Sequence, residues 1–250
     1  MNPTHLLLIP GFLGRQEDFA EVCACLPDDI LSQRVSLPEI HQGEAGSRSF
    51  DEHVRHWYEQ IQAELPQQFV LCGYSLGGRL ALSLCRHLLA LEPDRILGLI
   101  VESSHTGGLT DHERRQRWLH DQQWAARFAT ETMLDILPDW YRQPVFSGLS
   151  QVQIDRLIDQ KKSVSATVSA QQMLAFSVAR QADYTHFLQG MTLPFYYVSG
   201  KRDHKYTCLG QTLGERHHIV ADHCGHNVHF EDPQWFATTL TQLINAIKTH

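Results

Sequence analysis

Short apolar runs alternate with longer amphipathic stretches through the first part of the chain. The short runs have the length and the composition of strands, and the longer stretches have the spacing of helices. The predicted strands cover residues 6–9, 32–37, 69–72 and 96–101, and the predicted helices cover 18–26, 50–65 and 79–91. Alternation of this kind predicts an α/β fold, with a mostly parallel sheet and helices on both faces.

The pattern changes between Thr110 and about Phe187, where strand signals disappear. Helical runs cover residues 112–130, 132–137, 150–161 and 166–181, and strand-like runs return at 195–199 and 218–221. A block of helices after a central strand is typical of a cap over the carboxyl ends of a sheet, where ligands bind. We expect a core formed by residues 1–109 and 187–250, with a helical cap at 110–186.

The clearest chemical motif is Gly73-x-Ser75-x-Gly77, placed between a predicted strand and a predicted helix. A nucleophile elbow needs this context, because its serine stands on a sharp turn from strand to helix. The glycines permit that strained turn. Ser75 is therefore the candidate catalytic serine, and the backbone N–H of Leu76 is a candidate oxyanion donor.

The elbow needs an acid and a base, which in the α/β-hydrolase fold follow the serine in that order. Asp203 comes after the strand predicted at 195–199, and His226 comes after the last predicted strand. We predict that His226 takes the Ser75 proton, while Asp203 fixes the imidazole tautomer and stabilises the imidazolium. Asp222 and His229 are the alternative acid and base, although the glycine before His226 favours His226.

A second oxyanion donor is expected near the N-terminus. The strand predicted at 6–9 leads into Pro10-Gly11-Phe12-Leu13-Gly14, a loop that can bring backbone close to a ligand. Loops at this place supply an N–H to the oxyanion hole. We assign that role to the Phe12 N–H, with an ordinary strand-ending turn as the alternative.

Composition narrows the classes of partner. Of the 250 residues, 42% are hydrophobic and 20% charged, which is ordinary for a globular enzyme with a sizeable core. The net charge is −7 and no long basic run occurs, so a small molecule is favoured over nucleic acid or an anionic membrane. Without a long apolar stretch or a basic-then-apolar leader, we expect a cytoplasmic protein with no integral membrane association.

The cysteines and repeated histidines do not form a recognisable metal motif. The six cysteines are Cys23, Cys25, Cys72, Cys85, Cys208 and Cys224. Their spacing fits neither a zinc site nor a thioredoxin motif, so we expect reduced thiols that pack as small apolar residues. His223, His226 and His229 recur every three residues, but Gly225 disfavours the helix that would align them. We expect no metal.

Arg79 has an unusual position, four residues after Ser75 in the first turn of the elbow helix. The helix macrodipole disfavours a cation there. The spacing places both side chains on roughly the same side of the turn, facing the mouth of the pocket. We infer that an anionic group compensates for the charge; an arginine that only reaches solvent is the alternative.

Motifs along nearly the whole chain resemble one family. They are Gly73-Tyr74-Ser75-Leu76-Gly77-Gly78-Arg79, Val101-Glu102-Ser103-Ser104-His105, Arg114-x-x-Arg117, Asp121-x-x-Trp124, Asp139-Trp140-Tyr141-x-Gln143-Pro144-Val145-Phe146, Gly200-Lys-Arg-Asp203 and Gly225-His226-Asn227-x-His229. On these residues the chain resembles the MenH family, the 2-succinyl-6-hydroxy-2,4-cyclohexadiene-1-carboxylate synthases of menaquinone or phylloquinone biosynthesis. The run from Asp139 to Phe146 is the most discriminating, since very many hydrolases share the elbow.

The resemblance implies a cofactor-independent carbon–oxygen lyase. The family eliminates pyruvate from a succinyl-enolpyruvyl-hydroxycyclohexene-carboxylate intermediate, and its triad acts as a base on a ring proton. That substrate carries three carboxylates, which suit guanidinium groups. By resemblance, Arg79 and Arg117 bind carboxylates, Tyr74 and Trp140 line the site, and Arg114 lies near it.

The chain departs from the family pattern in two places. The oxyanion loop begins with Pro10-Gly11 where such enzymes commonly have His-Gly, so one side-chain hydrogen bond is absent or replaced. The Phe12 N–H is unaffected by that change. A cap arginine of the family falls at Lys161 or Lys162, where lysine keeps the charge but loses the planar fork.

Two other functions are compatible with these residues. A carboxylesterase or carbon–carbon bond hydrolase would use Ser75, Asp203 and His226 for acyl-enzyme chemistry and would not need Arg79. A non-catalytic binding module on the same fold would not need an intact serine, acid and histidine. The sequence therefore favours a lyase that acts on a small polycarboxylate.

Overall fold

The computed structural model describes residues 3–249, which form a six-stranded sheet with helices on both faces. The strands are β1 (Thr4–Ile9), β2 (Ile30–Arg34), β3 (Phe69–Tyr74), β4 (Ile96–Glu102), β5 (Phe195–Gly200) and β6 (His218–Ala221). They lie in the order β2-β1-β3-β4-β5-β6, and each neighbouring pair is parallel. The predicted fold class is confirmed, while the outer core boundaries at residues 1 and 250 lie outside the described residues.

The helices occupy the connections between these strands and the C-terminal segment. They are α1 (Ala20–Ala24), α2 (Phe50–Ile61), α3 (Leu76–Leu91), α4 (Asp111–Thr130), α5 (Met133–Tyr141), α6 (Gln151–Lys161), α7 (Ala166–Ala175), α8 (Thr185–Gly190), α9 (His204–Gln211), α10 (Val228–Glu231) and α11 (Pro233–Lys248). Capping boxes at Ser49, Thr110 and Ser150 start α2, α4 and α6, because each hydroxyl accepts a backbone N–H of the first turn. Within residues 3–249, none of the helices is long and apolar enough to cross a membrane.

Successive residues of β1 point to opposite faces of the sheet. Leu7 and Ile9 belong to the core cluster that includes residues of α2 and α3, whereas Leu6 and Leu8 belong to the cluster that includes residues of α1 and α11. All four side chains are fully buried. A strand buried on both faces needs such a continuous apolar run, which is why the sequence shows no polar alternation here.

β2 begins and ends earlier than the strand predicted at 32–37. Its partner β1 stops before Pro10, which has no N–H to donate. The last bond between the two segments runs from the Val35 N–H to the Leu8 carbonyl, at 3.1 Å. Val35 and Leu37 lie beyond the end of β2 but are still buried. The apolar pattern of the sequence therefore reflects the burial of these residues and not their membership of the strand.

Between β4 and β5 the chain forms α4 to α8, which we call the helical segment. Many of its apolar residues make a core cluster separate from the two that cover the sheet; members include Phe128, Ile136, Leu137, Leu157 and Met173. Ala175, Phe176, Tyr184 and Leu188 instead join the cluster that includes α2 and α3. Leu13 and Phe12 of the N-terminal loop contact the separate cluster. The helical segment is therefore attached beside the carboxyl end of β1.

The helix predicted at 166–181 is interrupted after Ala175. Arg79 Nη1 donates to the Phe176 carbonyl at 2.6 Å, which fixes the end of α7. Ser177 Oγ then accepts the Ala179 N–H at 3.1 Å and starts a short 3-10 turn. Side chains thus compete with helical hydrogen bonding at this point, which helical periodicity alone does not show.

Candidate active site

Ser75 lies between β3 and α3 with a strained backbone, at φ 50° and ψ −107°. Its N–H donates to the Glu102 carbonyl at 2.8 Å, and its carbonyl accepts from Ser104 Oγ at 2.7 Å. A Cβ on Gly77 would overlap the carbonyl oxygens of residues 9 and 10, so only glycine permits this close approach. Bonds from β4 and close packing therefore hold the serine in the geometry of a nucleophile elbow.

Asp203 and His226 meet at Ser75 from two different loops. Asp203 caps the N-terminus of α9 after β5, and its Oδ1 accepts the Tyr206 N–H at 3.3 Å. His226 Nδ1 donates to Asp203 Oδ2 at 2.5 Å, and His226 Nε2 lies 3.2 Å from Ser75 Oγ. Asp203 and His226 are both buried. The structure thus places a serine, an imidazole and a carboxylate in one hydrogen-bonded row.

The alternative acid and base lie elsewhere. Asp222 is exposed and pairs with Lys201 at 2.8 Å, and His229 Nδ1 bonds to Glu102 at 2.8 Å. His223 bonds to Asp232 at 2.6 Å. The histidines that recur every three residues therefore have three different carboxylate partners. In the part of the chain that the structure describes, no group of three or more potential metal ligands is present.

The N-terminal loop lies against the elbow. The Gly14 N–H donates to the Gly11 carbonyl at 2.8 Å, which closes a tight turn around Phe12. Gly11 is packed on the ring of Tyr74, where a Cβ would overlap the ring carbons. Phe12 and Leu76 line the same cavity as Ser75, so both residues predicted as oxyanion donors lie at the site.

Ser75 lies on the walls of two neighbouring cavities. The arginine cavity, of about 590 Å³, contains Arg79 and Arg117 in its wall. The lysine cavity, of about 200 Å³, contains Lys161 in its wall. The residues shared by both walls are Phe12, Ser75, Trp140 and Phe146. A ligand that spans both cavities would pass directly over the serine.

Arg79 is buried in the wall of the arginine cavity. Its Nη1 donates to the Phe176 carbonyl, and among residues 3–249 no carboxylate forms an ion pair with its guanidinium within 4 Å. Burial, together with the like charge of Arg117, lowers the pKa of Arg79 to about 10, so the group stays charged at neutral pH. A buried cation with no counter-ion among the described residues is costly, which would favour the binding of an anion beside it.

Arg117 and Arg114 lie on the same helix but have different surroundings. Arg117 is in the wall of the arginine cavity, and its Nε donates to buried Asp121 at 2.9 Å. Arg114 Nη1 donates to the Ala179 carbonyl at 2.5 Å, and Arg114 lines neither cavity. The structure therefore brings Arg117 to the site and places Arg114 behind it, against the turn after α7.

Tyr74 and Trp140 are the aromatic residues expected at the site. Tyr74 lies between two imidazoles, with ring centroids 5.4 Å from His226 and 4.7 Å from His229, and burial raises the pKa of its hydroxyl well above the ordinary value. Trp140 lies in both cavity walls, and its ring centroid is 5.0 Å from that of Phe12. The helical segment thus contributes an aromatic wall opposite the elbow.

The two adjacent lysines have different surroundings in the structure. Lys161 is only 3% exposed, pairs with Asp18 and faces the lysine cavity. Its burial lowers the pKa of its ammonium group. Lys162 is half exposed and pairs with Asp159 at 2.5 Å, away from both cavities. Lys161 is therefore the one placed to meet a ligand.

The residues of the arginine cavity that were not predicted as site residues include His105, Lys205 and Tyr206. Burial, reinforced by nearby cations, lowers the pKa of His105 to about 3, so the imidazole is neutral. The Gly107 N–H donates to His105 Nδ1 at 3.1 Å, which leaves the ring hydrogen on Nε2. The signals were present, since His105 ends the run that starts at Val101 and the other two follow Asp203 in α9.

A strained serine after a parallel strand, followed in the chain by an acid and a histidine that reach it, defines an α/β hydrolase. The model of the alpha/beta hydrolase family matches residues 6–239. A relative from Escherichia coli O17:K52:H18 is 33% identical over 245 residues and covers 96% of this chain and 93% of its own. It is a 2-succinyl-6-hydroxy-2,4-cyclohexadiene-1-carboxylate synthase, as is a relative from Enterobacter sp. strain 638 that is 31% identical, with 96% and 91% coverage. The chain belongs to this synthase family of α/β hydrolases.

Solved structures agree with this fold. The structure of MenH from S. aureus has a TM-score of 0.84 at 19% identity, covering 99% of this chain and 96% of that one. A thermophilic esterase from Thermogutta terrifontis has a TM-score of 0.73 at 15% identity, with 98% and 91% coverage. At these identities the likeness concerns the fold alone.

Proposed function

We propose that the chain is a 2-succinyl-6-hydroxy-2,4-cyclohexadiene-1-carboxylate synthase, which eliminates pyruvate from a succinyl-enolpyruvyl-hydroxycyclohexene-carboxylate in menaquinone or phylloquinone biosynthesis. Family membership supports the proposal. The observation that carries it is Arg79, a buried guanidinium with no carboxylate partner among residues 3–249, one helical turn from Ser75 on the wall of the same cavity. A substrate with several carboxylates would supply a counter-ion for this group.

In this reaction Ser75, His226 and Asp203 act as a base. Ser75 Oγ takes a ring proton as His226 Nε2 takes the hydroxyl proton, and Asp203 stabilises the imidazolium. The carbon–oxygen bond to the enolpyruvyl group then breaks, its electron pair leaves with the oxygen, and the ring gains a double bond. The His226 imidazolium then gives up its proton, the methylene carbon of the released enolate gains one, and pyruvate results, so the atoms and electrons balance without an oxidant, metal or cofactor.

The backbone N–H groups of Phe12 and Leu76 are proposed as the oxyanion hole. Removal of a ring proton next to a carbonyl places negative charge on an oxygen in the transition state. Donors fixed by the elbow and by the turn at Gly11 need no reorganisation to stabilise that charge. Their position beside Ser75 in the arginine cavity supports this role.

We propose that residues 110–186 act as a cap and that Arg79, Arg117, Tyr74, Trp140 and Lys161 contact the substrate. The cap residues in both cavity walls would exclude water and strengthen the charged contacts. Arg114 and Lys162, which line neither cavity, would support the cap from outside. The acidic net charge agrees with a small-molecule substrate and with a cytoplasmic location, and it does not favour nucleic acid.

A carboxylesterase or carbon–carbon bond hydrolase is the second candidate. The 3.2 Å separation of Ser75 Oγ and His226 Nε2 suits acyl-enzyme chemistry as well as proton abstraction. The two functions differ in the intermediate. A hydrolase forms an acyl group on Ser75, whereas the lyase forms no covalent adduct.

The deciding experiment uses the enzymatically prepared intermediate. Diene absorbance and released pyruvate are followed together, with Ser75→Ala as the inactive control. We expect one pyruvate per diene, no pre-steady-state burst, and no mass shift of the intact protein during turnover. Fast hydrolysis of p-nitrophenyl esters with a stoichiometric adduct on Ser75, and no diene, would establish the hydrolase instead.

A further inference from the structure

A carboxyl group that the proposed reaction does not use lies directly behind the elbow. Glu102 is the last residue of β4 and is fully buried. In the sheet it pairs with Tyr74 of β3 on one side and with Val198 of β5 on the other, so two strands fix its backbone. A buried glutamate is rare unless its oxygens have partners, and here they do.

The side chain of Glu102 bonds to the loop that carries the candidate base. Oε1 accepts the backbone N–H of His229 at 3.0 Å, and His229 Nδ1 donates to Oε2 at 2.8 Å. A carboxylate acceptor places the ring hydrogen on Nδ1, so the orientation and the tautomer of His229 are both fixed. His229 follows His226 by three residues, and its bonds therefore anchor the histidine loop.

The main chain of Glu102 bonds to the other half of the proposed catalytic pair. Its carbonyl accepts the N–H of Ser75 at 2.8 Å, at the residue whose φ is 50°. The ring of His229 also packs edge-on against Tyr74, the residue before the serine, at 4.7 Å between centroids. One buried residue thus contacts both the strained elbow and the histidine loop.

We propose that Glu102 is a positioning residue that, together with His229, sets the separation of Ser75 Oγ and His226 Nε2. The proposal rests on the triad of the proposed function but not on the identity of the substrate. The 3.2 Å separation is at the long end of hydrogen-bond reach, so a small shift of the histidine loop breaks the contact. Misplacement by about 1 Å costs on the order of 100-fold in rate.

Three variants separate positioning from simple stabilisation. In Glu102→Gln the amide oxygen accepts the His229 N–H, and the amide nitrogen donates to Nδ1 once the imidazole takes its other tautomer. Glu102→Ala removes every side-chain bond to the histidine loop. The double variant E102M/H229F replaces both polar side chains by apolar ones, so that neither is left as an unpaired buried charge, and only the backbone N–H of residue 229 loses its acceptor.

Tyr58→Phe is the matched control. It removes partly buried hydrogen bonds to Glu92, at 3.0 Å, and from Arg95, at 2.7 Å. Arg95 directly precedes β4. Tyr58→Phe therefore removes polar contacts at the amino end of β4, whereas the Glu102 variants remove them at its carboxyl end. We expect this variant to lower the melting temperature without changing the kinetics.

Two kinetic measurements are made well below the melting temperature of each variant. One is kcat and KM with the enzymatically prepared intermediate, and the other is the rate of phosphonylation of Ser75 by a fluorophosphonate. Phosphonylation reports the serine–histidine geometry without the substrate. If the wild type does not turn over the intermediate but is phosphonylated quickly, the proposed function is rejected. The phosphonylation rates of the variants would still test the role of Glu102.

We expect Glu102→Gln to stay within about threefold of wild type, because its bonds reform. Glu102→Ala and the double variant should lose roughly 10- to 100-fold in kcat and in phosphonylation rate, with little change in KM. A folded double variant with wild-type phosphonylation would overturn the proposal. So would a Glu102→Ala variant whose melting temperature falls while both rates match those of Tyr58→Phe.

Discussion

The backbone N–H of Arg79 donates to the carbonyl of Ser75 at 3.2 Å, so the serine and the buried guanidinium belong to one helical turn. This turn begins at the strained backbone of Ser75 and ends at Arg79. The guanidinium of Arg79 donates to the Phe176 carbonyl of the helical segment. The distance between Ser75 and the proposed anion site is therefore set largely by one rigid element. It does not depend on the helical segment alone.

Removal of Arg79 should impair the anionic substrate far more than a neutral one. Arg79→Ala leaves a substrate carboxylate unpaired in a shielded cavity, which costs about 2–5 kcal/mol, or roughly 30-fold to several thousand-fold in kcat/KM. Arg79→Lys should recover only part of this, because an ammonium group lacks the planar fork. Steady-state kinetics at low and high salt test the prediction. Greater damage to p-nitrophenyl ester hydrolysis than to pyruvate release would contradict it.

Loss of Ser75 and loss of His226 should not be additive. Each alanine variant should lower kcat by a similar large factor, and the double variant should be little worse, because the residues act as a unit. Asp203→Asn should also be severe, since it leaves the imidazole in the wrong tautomer. Asp222→Asn is the matched control, as that exposed carboxylate bonds to Lys201 on the surface. Multiplicative effects in the double variant would rule out a shared catalytic unit.

The two adjacent lysines should behave very differently. Lys161→Ala leaves Asp18 without its cation at the edge of the lysine cavity, and we expect a loss of about 3 kcal/mol in unfolding free energy, together with a raised KM. Lys162→Ala should change stability by less than about 0.5 kcal/mol. Lys161→Arg should remain active, because it keeps the charge. Urea denaturation checks the difference in stability, and KM measurements on the three variants would show the opposite order if Lys162 were the ligand contact.

His105 should make folding stability sensitive to acid. The unfolded chain binds a proton on this histidine near its ordinary pKa of 6.5, whereas burial keeps the folded form neutral down to about 3. The unfolded state therefore binds more protons in this window, and the unfolding free energy falls as the pH drops below about 6.5.

The test is the slope of unfolding free energy against pH. His105→Gln should reduce the slope between about pH 6 and pH 4 by up to about 1.4 kcal/mol per pH unit. His112→Gln, at an exposed position early in α4, should leave the slope unchanged. Equal slopes for wild type and His105→Gln would contradict the burial of a neutral imidazole.

Much of the fold was predictable because it depends on local patterns. Each predicted strand in the core has a counterpart, and β3, β4, β5 and β6 begin at the residues expected. Two of the differences occurred where a distant residue decides an element's end. β2 stops where Pro10 ends its partner, and α7 stops where Arg79 takes a carbonyl. Neither effect leaves a trace in hydrophobic periodicity.

By itself the sequence determined the elbow, the order of serine, acid and base, and the unusual cation in the first turn of α3. These features follow from residue type and spacing within one strand–turn–helix unit, or from chain order. Only the tertiary structure showed that Lys161, and not Lys162, lines a cavity. It also showed that Arg114 lies outside both cavity walls and that His105 lies in one of them. It alone revealed Glu102 beside His229, two residues 127 positions apart. Such contacts arise when the ends of parallel strands converge, and the order of strands in a sheet is fixed by long-range packing and not by local sequence.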